Sequence, residues 1–244
     1  MSKKIIAIIM MVLLNFTIFL SADENFTDEF SDDEAINGLI TTTDELAYDE
    51  ISVVDGKFTI FYNNNKIKAE GPVKKSKKEG EWIIYYEAFN GGGIKARGTY
   101  RLDQKNGQWI TYYTSGKTMM KATYRNNELY GQIFLYTEDG LAFAEIIYRN
   151  NMKNGVFRIY HPNGNPKEIS MFKNDKRDGM QNLFHPNGKK KSIGMYKDGI
   201  KHGSWKYFDE TGKLKSEGNY AKNEKTGKWK LFDETARITG TEDY

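Results

Sequence analysis

Between Gly203 and Tyr220 the chain reads GSWKYFDETGKLKSEGNY, with apolar and polar residues alternating on both sides of a second glycine, Gly212. A period of two puts Trp205 and Tyr207 on one face of a β-strand and Phe208 on the other, and a glycine between two such runs marks a turn. The same phrase recurs along the chain. Its opening glycines fall at Gly56, Gly80, Gly107, Gly131, Gly155, Gly179, Gly203 and Gly227, spaced by 24 residues except for 27 between Gly80 and Gly107. Self-similarity at a fixed period is the signature of a repeat array, whose units cannot bury their apolar faces alone. A helical reading fails, because glycines this frequent would break each helix near its start.

Counted from the opening glycine, the second position is Phe58, Trp82, Trp109, Ile133, Phe157, Gln181, Trp205 and Trp229. The fourth is apolar except at Thr111. The fifth is always aromatic: Phe61, Tyr85, Tyr112, Tyr136, Tyr160, Phe184, Phe208 and Phe232. Second and fourth positions share one strand face, and the fifth points to the other. The ninth is the turn glycine at Gly116, Gly140, Gly164, Gly188 and Gly212, and the second unit carries three extra residues around FNGGG. In His161-Pro162-Asn163-Gly164 and its copy His185-Pro186-Asn187-Gly188, proline presets φ, asparagine tolerates the next corner and glycine accepts the positive φ that follows.

The return run alternates too. Leu214, Ser216, Gly218 and Tyr220 share one face, as do Ile94, Ala96, Gly98 and Tyr100. Small residues before a large ring predict that an aromatic from a neighbouring strand packs over the gap. Polar links such as RNNELY, RNNMKN and KNDKRD then return the chain to the next opening glycine. The expected fold is all-β: an elongated array of about eight stacked antiparallel β-hairpins in one twisted sheet. At ~4.8 Å per strand, its sixteen or so strands would span on the order of 75 Å. The end units are expected to be atypical caps. Asn65 and Ala236 replace the turn glycine, Pro72 and Val73 stand where other units end on an aromatic, and Glu242 and Asp243 make the last run acidic. Such features blunt sheet edges.

Composition changes the picture at the N-terminus. Residues 1–22 start with Lys3 and Lys4, continue apolar from Ile5 to Leu20 and leave through Ser21 and Ala22, the layout of a signal peptide, with an uncleaved anchor as the alternative. Residues 23–50 hold eleven acidic and no basic residues and read as a largely disordered acidic segment, with a short apolar patch from Ala35 to Ile40. The whole chain is +3, so residues 51–244, the array, carry a larger positive excess. Export to the periplasm, envelope or medium is the expectation. The chain has no cysteine, which excludes disulfides, thiolate chemistry and zinc–thiolate sites.

The unit G-x-W-x-x-Y-x-x-x-G-x-x-x-x-x-G-x-Y resembles the bacterial MORN-variant repeat. Gly203, Trp205, Phe208, Gly212, Gly218 and Tyr220 carry the resemblance in one unit, and Gly107, Trp109, Tyr112, Gly116 and Tyr124 in another. It extends over residues 51–244, through Gly80, Trp82, Gly131, Gly155, Gly179, Gly227 and Trp229; Ile133 and Gln181 depart from it. The resemblance implies a hairpin array used for protein interaction. Many bacterial members are labelled antitoxins of toxin–antitoxin pairs, and MORN repeats elsewhere are linked to membranes.

No catalytic set stands out. His161 and His185 are equivalent turn residues, His202 is isolated, and no serine–histidine–acid set, metal spacing or phosphate-cradling loop is present. The chain therefore reads as no enzyme, with no cofactor. The fifth-position rings Tyr85, Tyr112, Tyr136, Tyr160, Phe184, Phe208 and Phe232 serve either as core or as an interaction surface. A protein partner is the first expectation. Anionic lipid, helped by Lys189, Lys190 and Lys191, and an envelope glycan or choline ligand are the alternatives. Export argues against nucleic acid. Gly212→Val should cost about 1–2 kcal/mol through strain at a positive φ; an unchanged melting temperature would place the turn elsewhere.

Overall fold

The computed structural model describes residues 32–41, 55–87 and 93–244. The leader lies outside them, as does most of the acidic segment. Asp32–Thr41 of that segment forms a helix, α1, with Ile36 and Leu39 buried. The chain divides after Ala47 into two units. The second unit holds all the described strands.

These strands are hairpins laid side by side in sequence order. The first four are β1 (Asp55–Phe61) with β2 (Ile67–Lys74), β3 (Lys77–Lys78) and β4 (Gly80–Tyr85) with β5 (Ile94–Arg101), β6 (Gln104–Tyr112) with β7 (Thr118–Arg125), and β8 (Glu128–Leu129) and β9 (Gly131–Tyr136) with β10 (Ala142–Arg149). The others are β11 (Met152–Tyr160) with β12 (Pro166–Lys173), β13 (Lys176–Phe184) with β14 (Lys190–Lys197), β15 (Ile200–Phe208) with β16 (Leu214–Ala221), and β17 (Glu224–Phe232) with β18 (Ile238–Asp243). β3 and β4 are one strand broken at Glu79, and β8 and β9 one broken at Tyr130, so eighteen segments fill the sixteen expected places. Each hairpin also pairs antiparallel with the next, giving one sheet.

Two turn chemistries alternate along the two ends of the strands. Inside a repeat, Gly116 at φ 82° donates its N–H to the Tyr113 carbonyl, and Tyr113 donates to Lys117; the His-Pro-Asn-Gly turns do the same through Gly164 and Gly188. Between repeats the chain turns on two residues, both at positive φ, as at Asn126 and Asn127 or Asn150 and Asn151. This is the type I′ signature, whose twist matches that of the flanking strands. The polar links are therefore tight turns with strand on both sides, and six of the eight opening glycines lie inside strands, Gly80 and Gly131 alone beginning the segments β4 and β9. Gly107 sits inside β6, where Thr99 faces Asn106 and Gly98 faces Trp109, so Gly107 and Gln108 form a bulge, with Gly107 at φ 74°.

Side chains stitch successive repeats together at one or both ends of most junctions. Asn127 accepts the Lys105 N–H at 2.6 Å, and Asp103, Asn151, Asp175 and Asn223 grip Lys78, Leu129, Lys153 and Lys201 in the same way. At the other end, the Tyr62, Tyr86 and Tyr113 hydroxyls donate to the carbonyls of Tyr85, Tyr112 and Tyr136 at 2.6–2.7 Å. His161 and His185 take that role toward Phe184 and Phe208, at 3.0 and 3.2 Å. The two histidines are staples between turns.

The core is a row of rings laid flat on the sheet. A Cβ at Gly98 would stand 2.3 Å from the Trp109 ring, and Gly71, Gly194 and Gly218 lie equally close under Trp82, Trp205 and Trp229. All four tryptophans are buried. Each burial is worth about 4–6 kcal/mol of transfer free energy before entropy is counted. Where the covering residue is smaller, the gap beneath is filled: the register that pairs Met120 with Leu135 and Lys121 with Phe134 brings Ala122 to Ile133, Ile146 faces Phe157 and Ser170 faces Gln181. Gly218→Ala should cost about 1–3 kcal/mol by overpacking. Combined with Trp229→Ile, which copies the Ala122 and Ile133 junction, the loss should fall short of the two single losses added together, by about 1 kcal/mol or more in denaturant unfolding. Strict additivity would refute the ring-on-glycine account.

Candidate interaction surface

The two faces of the sheet differ in what remains available. On the tryptophan face every tryptophan is enclosed. Below Trp109 lies Gly98, beside it the Tyr100 ring stands edge-on at 5.0 Å, and above it the Lys105 ammonium lies 4.9 Å from the ring centre. Lys201 and Lys225 cap Trp205 and Trp229 at 4.5 and 4.7 Å. Lys78 is 4% exposed, and burial pushes its ammonium down to about 8, with Lys105 adding to the shift and Asp103 opposing it.

Between the fifth and sixth repeats Gln181 takes the tryptophan position and joins a polar cluster with Glu168, Ser170 and Arg177. Glu168 accepts from Ser170 at 2.5 Å, Gln181 at 2.9 Å and Arg177 at 3.1 Å, a buried carboxylate with its hydrogen bonds satisfied. Beyond this junction the same face is less covered: Ile84, Thr111, Leu135 and Ile159 are buried, whereas Leu183, Tyr207 and Leu231 at the equivalent fourth position are half-exposed. Tyr207 and Tyr220 share a hydroxyl contact of 3.1 Å, and burial first, then that contact, raises the Tyr207 phenol.

The opposite face carries the fifth-position rings. Tyr85, Tyr112, Tyr136, Tyr160, Phe184, Phe208 and Phe232 are all half-buried there, and Phe61 is 56% exposed. Each lies diagonal to a residue of the previous return strand. For the four tyrosines that neighbour is charged. Glu70 and Glu145 accept from the Tyr85 and Tyr160 hydroxyls at 3.0 and 2.7 Å, while Arg97 and Lys121 lie 5.9 and 5.7 Å from the Tyr112 and Tyr136 ring centres. Burial, reinforced by Glu145, pushes the Tyr160 phenol to about 12.

At the phenylalanines the neighbour changes. The register that pairs Ile169 with Asn182 and Ile193 with Lys206 puts these isoleucines diagonal to Phe184 and Phe208. Beside them run Val156 opposite Met171 and Met180 opposite Met195. Met171, Met180 and Met195 are 39%, 48% and 44% exposed. The seven rings thus divide: four are engaged by charge, Phe184 and Phe208 belong to a continuous apolar patch, and Phe232 lies diagonal to Glu217. The isoleucines and methionines escape a reading that asks only which positions are aromatic throughout. Their signal lies in two return-strand columns and in the position after the opening glycine, which turn apolar together only in the middle repeats.

An open hollow of 460 Å³ between the fifth and seventh repeats is lined by Lys173, Asp178, Tyr196, Asp198 and His202. No group of three metal-ligating side chains occurs among the described residues.

Stacked hairpins with bulge glycines and stitched turns define a β-hairpin repeat array. The family model described as "MORN repeat variant" matches residues 54–75, 105–126, 153–174, 177–198 and 201–222. The chain is a MORN-repeat protein, of a family whose repeats act as binding modules for proteins and lipids. No curated protein matches it. Among solved structures, TcdB2-TccC3 without its hypervariable C-terminal region is 11% identical at a TM-score of 0.21, over 77% of this chain and 10% of that one. A porin-like protein from Bacteroides uniformis is 11% identical at a TM-score of 0.19, over 66% of this chain and 87% of that one. The chain spans about a tenth of the length of the first of these.

The depressed Lys78 ammonium has a signed consequence. Below pH 8 both folded and unfolded chains hold the proton, so burying the charge costs stability in full. Between about 8 and the unfolded value of 10.5 the folded chain sheds it, and that cost declines as pH rises. Relative to the parent, Lys78→Met should therefore lose part of its stability advantage, or deepen its deficit, between pH 7 and pH 10 in denaturant unfolding. A difference that is constant or moves the other way would overturn the assignment.

Proposed function

We propose that this protein is an exported, non-catalytic scaffold whose array binds a protein partner at a bacterial cell envelope. The observation that carries this reading is the apolar patch on the fifth-position face, centred on Met171, Met180 and Met195, in a sheet where the four fifth-position tyrosines are engaged by charged neighbours. A contiguous exposed apolar patch marks an interaction site, and methionine suits surfaces that adapt to a partner. The family's use as a binding module supports it, and the leader-like residues 1–22 support export. A glycan or choline ligand has less to recommend it, because stacking or caging needs a free ring face and each tryptophan has glycine below and a lysine above. Anionic lipid remains the second reading, on the basic excess of residues 51–244. An antitoxin role has no support beyond the family label.

A photo-crosslinking side chain placed at Met195 of the full chain should trap one protein species from envelope extracts. The same group at Thr99, on the same face in the second repeat, should not. Equal trapping at both positions, or salt-sensitive vesicle binding unaffected by Met180→Lys, would sink the scaffold reading in favour of non-specific or lipid binding.

A further inference from the structure

The chemistry around the patch narrows what can occupy it. Its apolar floor runs from Ile147 in β10 through Val156, Ile169, Met171, Met180, Ile193 and Met195 to Phe208 in β15. Six adjacent strands at ~4.8 Å make it about 24 Å wide, and first to fifth positions at ~3.3 Å per residue make it about 13 Å deep. That is on the order of 300 Å², well below the roughly 800 Å² per partner of a stable protein–protein interface. By area alone it suits one short segment and is too small to hold two copies of this chain together.

The rim adds charge. On one side stand Lys121, over the Tyr136 ring, and Arg158, 3.3 Å from Glu145. On the other, Lys206 and Lys230 share the single carboxylate of Glu217 at 3.1 and 3.5 Å. Four cations face two carboxylates across the patch, so both rims are cation-rich. A second copy docked on this face would bring like charge against like charge, whereas carboxylates in those places would be drawn in.

Building on the scaffold reading, we propose that the patch is the docking site for a short partner segment with apolar side chains at its centre and carboxylates at both ends. The methionines and isoleucines receive the apolar centre, and Lys121, Lys206 and Lys230 meet the acidic ends. The apolar floor supplies affinity and the rim selects the partner by sign.

The test uses the full chain and fluorescent synthetic peptides with one Ile-Phe-Ile-Phe centre and either glutamate or lysine flanks, read by anisotropy. The glutamate-flanked peptide should bind at least about tenfold more tightly than the lysine-flanked one, with the preference shrinking as salt rises. Met180→Lys combined with Met195→Lys should weaken it about tenfold or more at unchanged circular dichroism and melting temperature. Lys206→Glu combined with Lys230→Glu should shift the preference toward the lysine-flanked peptide. Equal binding of both peptides, or indifference to the methionine substitutions, overturns the proposal. So does a dimer in sedimentation equilibrium that the methionine substitutions abolish, since the occupant would then be a second copy. If neither peptide binds while a crosslinker at Met195 still traps one protein, the partner chemistry is wrong and the scaffold reading stands. If that trapping fails too, both fall.

Discussion

A two-stranded hairpin has no interior, and in this protein the tryptophan-on-glycine contact supplies one. Trp109 of the third repeat lies on Gly98 of the second, Trp205 on Gly194 and Trp229 on Gly218. Each ring is buried only because the previous hairpin leaves a bare stretch of backbone beneath it, so no repeat completes its core without its neighbour. The bulge at each opening glycine after Gly56 follows from the same demand. It takes two residues out of the ladder just before the ring, and the backbone turns through a φ that side-chain-bearing residues resist. The stitches at both strand ends hold successive hairpins at the spacing this contact requires.

That arrangement decides which face keeps exposed apolar side chains. The tryptophan face is committed to covering its own backbone, and the cations above it are drawn onto the rings by the same geometry. At the junction of the fifth and sixth repeats, Gln181 stands in the tryptophan position, and Glu168, Ser170, Arg177 and Gln181 each find a partner among the others. Breaking one member would leave a buried charge uncompensated, so the cluster ties that junction to a single pairing. The opposite face has no such duty, which is why its side chains vary between repeats and why a patch of methionine and isoleucine is tolerated there. In this MORN-repeat protein one face is committed to folding, and the other keeps its side chains exposed.

Much of this was legible without coordinates, because repetition makes the sequence its own comparison. The eight opening glycines, the tryptophan column and the small residues of the return runs predicted the hairpins, their faces and a ring packing over a gap. The links were not read correctly. Asn126 and Asn127 look like part of a polar loop, yet both adopt positive φ and close a two-residue turn with strand on either side, because asparagine enters that region at low cost. The candidate site was half legible. A constant aromatic column at the fifth position was evident, but not that Tyr85, Tyr112, Tyr136 and Tyr160 are engaged by charged neighbours from the preceding repeat while Phe184 and Phe208 are not.

The amino-acid sequence by itself determined the period, the strand faces, the turn glycines and the ring–gap complementarity, since these depend on residues near in sequence or repeated at fixed spacing. Only the tertiary structure decided which strand each side chain meets. A bulge shifts the register by local backbone geometry, and diagonal neighbours such as Ile169 and Phe184 become adjacent only after that shift is counted. The chemistry of the exposed face is therefore a property of the register, and register is set when one hairpin closes on the next.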